Sequence, residues 1–211
     1  MPSFYAKTAK SVVFIVFPQF KLLDIAGPLQ VFTDALQEGK PPYEISVVSL
    51  EGGDVATDTI LPITTEAANR WLNRDINTFI VAGGQGARPA SSDAALLATV
   101  KQLAARSERV GSVCTGAFVL AAAGLLNDRR AVTHWESCAE LADCYHRVKV
   151  EADPIFVQDG KIWTSAGVTA GIDMSLAIVA EDFGKTAALT LARSLVSYIV
   201  RPGGQSQFST L

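Results

Sequence analysis

Cys114 sits where an apolar run, Arg109-Val110-Gly111-Ser112-Val113, gives way to Thr115-Gly116-Ala117-Phe118-Val119-Leu120-Ala121-Ala122-Ala123. The first run is short and bounded by charge, as a buried strand is. The second carries Ala and Leu at helical spacing and stops at Gly124. Small residues on both sides let the chain bend sharply between them. A sulfur at such a bend stands at the sheet edge and at a helix N-terminus, where backbone N–H groups and the positive dipole end favour the thiolate. This is the placement of the nucleophile elbow of hydrolases. The alternative is a small buried cysteine that only packs; the flanking glycines favour the elbow. The matching expectation is that Cys114 is alkylated ahead of Cys138 and Cys144 at neutral pH.

Three further segments offer it partners. Asp24, flanked by Leu23 and Ile25 in the loop after the first strand, is an odd place for a charge. It is either an N-cap for the helix that Pro28 begins or an acid that holds and exchanges a proton with the thiol. Gly83-Gly84-Gln85-Gly86 ends a strand, and the amides of Gly84 and Thr115 could together form an oxyanion hole. The turn lacks the Lys and Ser/Thr of a P-loop, so nucleotide binding is not expected. His134 follows the cysteine by twenty positions, one helix and one strand later, and is a candidate base for Cys114; its other reading is a structural histidine covered by Trp135. Thr164-Ser165-Ala166-Gly167-Val168-Thr169-Ala170-Gly171-Ile172-Asp173 forms another strand-to-helix turn, whose hydroxyls and Asp173 cap the helix or, as with Thr169, line the pocket. The ligand-binding set is thus Gly84, Gln85, Thr115 and Thr169. Cys138 and Cys144 are expected to pack on a helix.

The elements that must position these groups follow from hydrophobic periodicity. Strands are predicted at Ser11–Phe17, Tyr43–Leu50, Thr78–Ala82 and Ala131–His134, besides the one before Cys114. Short strands follow at 148–150, 155–157 and 161–165, the last two joined by the hairpin signal Asp159-Gly160. Helices are predicted at 27–36, with Pro28 in the first turn, and at 91–105, with Ser92-Asp93 as cap. Others are expected at 136–145, 170–183 and 185–200. Strand–helix alternation implies a mostly parallel sheet covered on both faces, with sites beyond the carboxyl ends of the strands.

The 211 residues suit one α/β domain with a substantial core. No apolar run is long enough to span a bilayer, and no signal peptide is evident. Three cysteines without a CxxC pair fit free thiols in a reducing cytoplasm, and with only two histidines a zinc site is not expected. A formal charge of −3 argues that this segment does not itself grip DNA.

At these residues the chain resembles the DJ-1/PfpI family of class I glutamine-amidotransferase-like domains. The resemblance runs through Val12–Phe17, Asp24-Ile25-Ala26-Gly27-Pro28, Ala82-Gly83-Gly84, Cys114-Thr115-Gly116, Thr133-His134-Trp135 and Ala170-Gly171-Ile172-Asp173. It implies a flavodoxin-like three-layer α/β sandwich, commonly a homodimer, with no cofactor. Asp-x-x-Gly-Pro together with Cys-Thr-Gly is similar to the branch of isonitrile hydratases and AraC-type regulator domains. Thr115 stands where PfpI proteases carry histidine, which argues against peptidase activity. The string Arg201-Pro202-Gly203-Gly204-Gln205-Ser206-Gln207-Phe208 resembles the junction at which AraC/GlxA-like regulators pass to a helix-turn-helix pair. The resemblance therefore implies a ligand-sensing domain over 1–200 and, over 201–211, a polar, flexible linker leading to a DNA-binding domain outside this sequence.

Two functions from different classes follow. The favoured one is an effector-sensing domain of an AraC-family transcriptional regulator, binding a small metabolite near Cys114 and acting on DNA only through the further domain. Related regulators imply amino-acid or quaternary-amine effectors. The other is an isonitrile hydratase-like enzyme in which Cys114 attacks carbon, Asp24 moves protons and the amides of Gly84 and Thr115 hold developing charge. A third reading is a thiol sensor in which oxidation or adduct formation at Cys114 is the signal.

Overall fold

The computed structural model describes residues 9–36, 40–197 and 204–207. In chain order its elements are β1 (Lys10–Ile15), α1 (Leu22–Asp34), β2 (Tyr43–Ser49), β3 (Gly53–Val55), β4 (Ile63–Ala67) and β5 (Ile76–Val81). Then come α2 (Ala87–Ala90), α3 (Ala94–Ala105), β6 (Ser107–Val113), α4 (Gly116–Ala122), β7 (Arg130–Ala131) and α5 (Cys138–Cys144). The last are β8 (Lys149–Val150), β9 (Phe156–Asp159), β10 (Ile162–Ser165), α6 (Ala170–Phe183) and α7 (Lys185–Ser194). Short 3-10 turns occupy Ala68–Trp71, Trp135–Ser137 and Gln205–Gln207.

The main sheet runs β3-β4-β2-β1-β5-β6-β10-β9. Its six inner strands are parallel, and β3 and β9 close the two edges antiparallel. Val12 to Ile15 are all buried, so both faces of β1 are covered. Six of the helices form two packed groups, α1, α6 and α7 in one and α2, α3 and α4 in the other, while α5 packs on β8. This is the expected three-layer α/β architecture with a mostly parallel sheet. No helix among the described residues is long and apolar enough to cross a membrane.

Several local expectations shift. The first helix begins at Leu22, not at 27, so Pro28 lies inside it. There the proline ring forgoes the bond to the Asp24 carbonyl. Asp24 is therefore not an N-cap. That position belongs to Lys21, and the helix start is secured from a distance: Asp58 Oδ1 accepts the Leu22 N–H at 2.9 Å while Asp58 Oδ2 pairs with Lys21 Nζ at 3.0 Å. α1 crosses α6 with Gly27 against Ile172 and Gly171 against Pro28, which places the 24–28 turn of helix over the sheet. Asp93 caps α3 as expected, accepting from Ala95 and Leu96. At α6 the N-cap is Thr169, without a side-chain cap bond.

The strand expected at 131–134 is only Arg130–Ala131, and it pairs with β8 outside the main sheet. The Asp159–Gly160 hairpin is present, joining β9 to β10. β3, β4 and α2 were not expected, and the last helix ends at Ser194 with Leu195 as its C-cap, short of the expected 200, of which 198–200 lie outside the described residues. Arg201–Gly203 and Phe208 also lie outside them.

Candidate functional site

Four parallel strands deliver their carboxyl ends to one place. β1 leads into the turn before α1 and Asp24; β5 ends at Gly83-Gly84; β6 ends at Cys114; β10 ends at Ala166-Gly167-Val168. Cys114 has φ 54, the left-handed conformation a sharp strand–helix turn demands and one a side chain adopts only under strain. Its N–H bonds to the Ser165 carbonyl at 3.0 Å, and its own carbonyl accepts the Thr133 hydroxyl at 2.8 Å. The bend is therefore held from both sides.

Gly83 separates the acid from the thiol. A Cβ placed on it would stand 2.7 Å from both Asp24 Oδ2 and Cys114 Cβ, so only glycine fits between the two. Asp24 is fully buried. Its Oδ1 accepts the Val168 N–H at 2.8 Å, whereas Oδ2 is buried with no hydrogen-bond partner among the described residues. Burial outweighs the help of the Val168 amide and of the Lys21 charge, and lifts the carboxyl to about 6.

The thiol is less available than the sequence suggests. Cys114 is only 5% exposed, and Gly167, at φ 95, lies directly on it: a Cβ at 167 would be 2.8 Å from Sγ. Burial and then the Asp24 charge push Cys114 up to about 12, against the smaller opposing pull of the Thr115 amide and of Lys21. The expected dipole-stabilised thiolate is thus corrected. The start of α4 does favour negative charge, but desolvation under the Gly167 turn is the larger effect. The expected oxyanion hole is not formed either. The Gly84 N–H donates to Thr115 Oγ1 and that hydroxyl donates back to the Gly84 carbonyl, each at 2.9 Å, so the Gly84 amide is already engaged.

Beside this cluster opens a cavity of about 230 Å³, lined by Lys21, Leu22, Leu23, Ala26, Asp58, Thr59 and Val168. Asp58 holds the Lys21 ammonium above its ordinary range, and the Leu22 amide with Lys21 holds Asp58 below its own. The cavity offers one positive and one negative group on an apolar floor, separated from the thiol by the Gly167–Val168 turn. Among the described residues no three His, Cys, Asp or Glu side chains gather closely enough to hold a metal ion.

A model of the DJ-1/PfpI family matches residues 10–181, nearly all of the sheet and its helices. The chain belongs to the DJ-1/PfpI family. Among its relatives is an isonitrile hydratase of Pseudomonas putida, 34% identical over 83% of this chain and 73% of that protein. Another is the HTH-type transcriptional regulator CdhR of Pseudomonas aeruginosa, 30% identical over 90% of this chain but only 55% of the regulator's length. Among solved structures, a THiJ/PfpI family protein from Pseudomonas syringae superposes with a TM-score of 0.80 at 31% identity, over 96% of this chain and 83% of the other.

Within this DJ-1/PfpI fold, the sequence candidates separate. Asp24, Cys114, Thr115 and Gly84 come together. His134 has its Nδ1 3.5 Å from Glu136 and its ring beside Trp135, and no hydrogen bond among the described residues links it to the thiol. Thr133, one position earlier, is the residue that reaches the elbow. Gln85 lines a different cavity, of about 340 Å³, with Gln19 and Asp93. Thr169 is exposed, and its neighbour Val168 lines the charged cavity instead. Lys21, Asp58, Gly167 and Val168 were not singled out. The only signal for them was the repeated small-residue turn before α6 and a lysine placed three residues before Asp24.

Proposed function

We propose that this chain is the effector-sensing domain of an AraC-type transcriptional regulator and that its effector occupies the Lys21–Asp58 cavity. The observation that carries this reading is the contrast between an open charged cavity and a covered, protonated thiol whose oxyanion hole is closed by Thr115. Such a site is built to bind before it is built to turn over. The CdhR match supports it, because most of this chain aligns with about half of that regulator, leaving room for a DNA-binding part. In this reading DNA contact is made by a helix-turn-helix domain following residues 201–211, the domain acts as a homodimer in the cytoplasm, and this acidic segment does not touch DNA. The cavity is smaller than the ~300–1,000 Å³ typical of drug-sized ligands and matches a small metabolite. Its paired charges suit a zwitterion of the amino-acid or betaine type, with the carboxylate on Lys21 and the cationic end on Asp58.

The test is a thermal-shift series with amino acids and quaternary amines. A true effector at about a hundredfold its Kd raises Tm by about 5–10 °C, and Lys21→Met removes the shift. No stabilisation by any zwitterion, or shifts indifferent to Lys21→Met, would overturn the reading.

A second reading, favoured by the isonitrile hydratase relative and by an acid near neutral pKa beside the thiol, is hydration of an isonitrile to an N-substituted formamide. Formation of formamide by the parent chain and not by Cys114→Ala would establish it.

A further inference from the structure

The segment Gly204–Gln207, expected to be a flexible polar linker, is docked. Gln205 is 3% exposed. Its side-chain amino group lies within hydrogen-bond distance of three carbonyls, Ala152 at 2.9 Å, Thr133 at 3.1 Å and Pro154 at 3.3 Å, so its two hydrogens are shared among three acceptors. Its backbone N–H donates to the Asp153 carbonyl at 2.7 Å, and the Ser206 N–H donates to Asp153 Oδ1 at 3.0 Å. A carboxamide is the natural occupant of this notch, because it satisfies buried carbonyls without adding a charge.

Thr133 is the hinge of the arrangement. Its carbonyl receives Gln205 and also the Cys138 thiol at 3.7 Å, while its hydroxyl donates to the Cys114 carbonyl at 2.8 Å. One residue thus ties the strained elbow to the C-terminal segment. Whatever displaces the backbone at Cys114 pulls on Thr133, and whatever frees Gln205 relaxes Thr133.

We propose that Gly204–Gln207 is a latch, docked through Gln205 onto Thr133, by which the elbow and the chain that follows this domain control one another. The proposal rests on the sensing function only for its purpose: in a regulator, displacing the elbow would loosen the segment that leads onward. The coupling itself needs no effector, and it is reciprocal, so freeing Gln205 must make the elbow more accessible.

The reciprocal direction is measurable in the 211-residue chain with iodoacetamide as probe, following alkylation of each cysteine by mass spectrometry at pH 9. The thiol loses its proton to solvent, the sulfur attacks the methylene carbon, and iodide leaves. Gln205→Ala, and more strongly Gln205→Glu, which sets a carboxylate among three carbonyls, is expected to speed Cys114 alkylation by about threefold or more while leaving Cys144 unchanged. Thr133→Val keeps the carbonyl but removes the hydroxyl bond to Cys114, and in that background Gln205→Ala is expected to add nothing further. An unchanged Cys114 rate, an equal rise at Cys144, or fully additive effects with Thr133→Val would each overturn the latch. None of these readings depends on finding an effector, so failure of the sensing function in the thermal-shift series is a separate result.

Discussion

Val168 donates its backbone N–H to Asp24 Oδ1 at 2.8 Å, joining two residues 144 positions apart across the carboxyl ends of β1 and β10. That bond seats the Gly167–Val168 turn over Cys114, and it helps keep a buried acid charged. Val168 itself has φ 52, an unfavourable conformation for a β-branched residue, which the bond to Asp24 sustains. Cover, acid and thiol are therefore one mechanical unit.

Asp24 makes stability depend on pH in a specific sense. Its carboxyl rises from 3.8 to about 6 on folding, so between these values the folded chain binds a proton more tightly than the unfolded one. Stability is unpenalised below 3.8 and falls as pH climbs to about 6, by about 3 kcal/mol in all. Asp24→Asn keeps an acceptor for Val168 and removes the buried charge. Urea denaturation from pH 4 to 8 should show the decline in the parent and a flatter profile in the variant; parallel profiles would count against the assignment.

The three thiols should not react as the elbow motif suggests. With Cys114 near 12, fewer than about one in ten thousand of its thiols is ionised at pH 7.5. Cys144 is exposed and is expected to alkylate first, with Cys114 last or level with the buried Cys138. Cys114 labelled ahead of Cys144 would mean that the Gly167 cover opens readily in solution.

Gly167 carries two demands at once, a φ of 95 and a sulfur within contact distance. Gly167→Ala forces a Cβ against Cys114 and a left-handed alanine, and is expected to lose about 2–4 kcal/mol in chemical denaturation. A loss below about 1 kcal/mol would show that the turn can shift aside, since surface changes fall in that range.

Thr115 closes the Gly84 amide. Thr115→Val strands a buried N–H and a buried carbonyl on Gly84 and is expected to destabilise by about 2–4 kcal/mol, whereas Thr115→Ser, which keeps the hydroxyl, stays within about 1 kcal/mol of the parent. Equal losses in both variants would point to lost methyl packing instead of the paired bonds.

Local pattern revealed much of this fold. The apolar runs Val12–Ile15 of β1 and Phe79–Val81 of β5, the amphipathic α3 with its Asp93 cap, and the Asp159–Gly160 hairpin are set by neighbours a few residues apart. The start of α1 was not legible, because the group that secures it, Asp58, lies 36 positions from the Leu22 amide it accepts. β3 is a short edge strand and β4 the short strand beside it, and their order comes from pairing with each other and, for β4, with β2. The bond from Thr133 to the elbow was not legible either, because it joins residues 19 positions apart, while the neighbouring His134 has its Nδ1 3.5 Å from Glu136.

From its residues alone this protein was bound to place Cys114 at a tight strand–helix bend beside an acid and a glycine turn, since those features depend on local backbone preference and on strand–helix alternation. Only the folded chain decided that the thiol would stay protonated under Gly167, that Lys21 and Asp58 would open a charged cavity, and that Gln205 would dock on Thr133. Each of these depends on desolvation or on hydrogen bonds between segments far apart in sequence, and neither is encoded in any single stretch of residues.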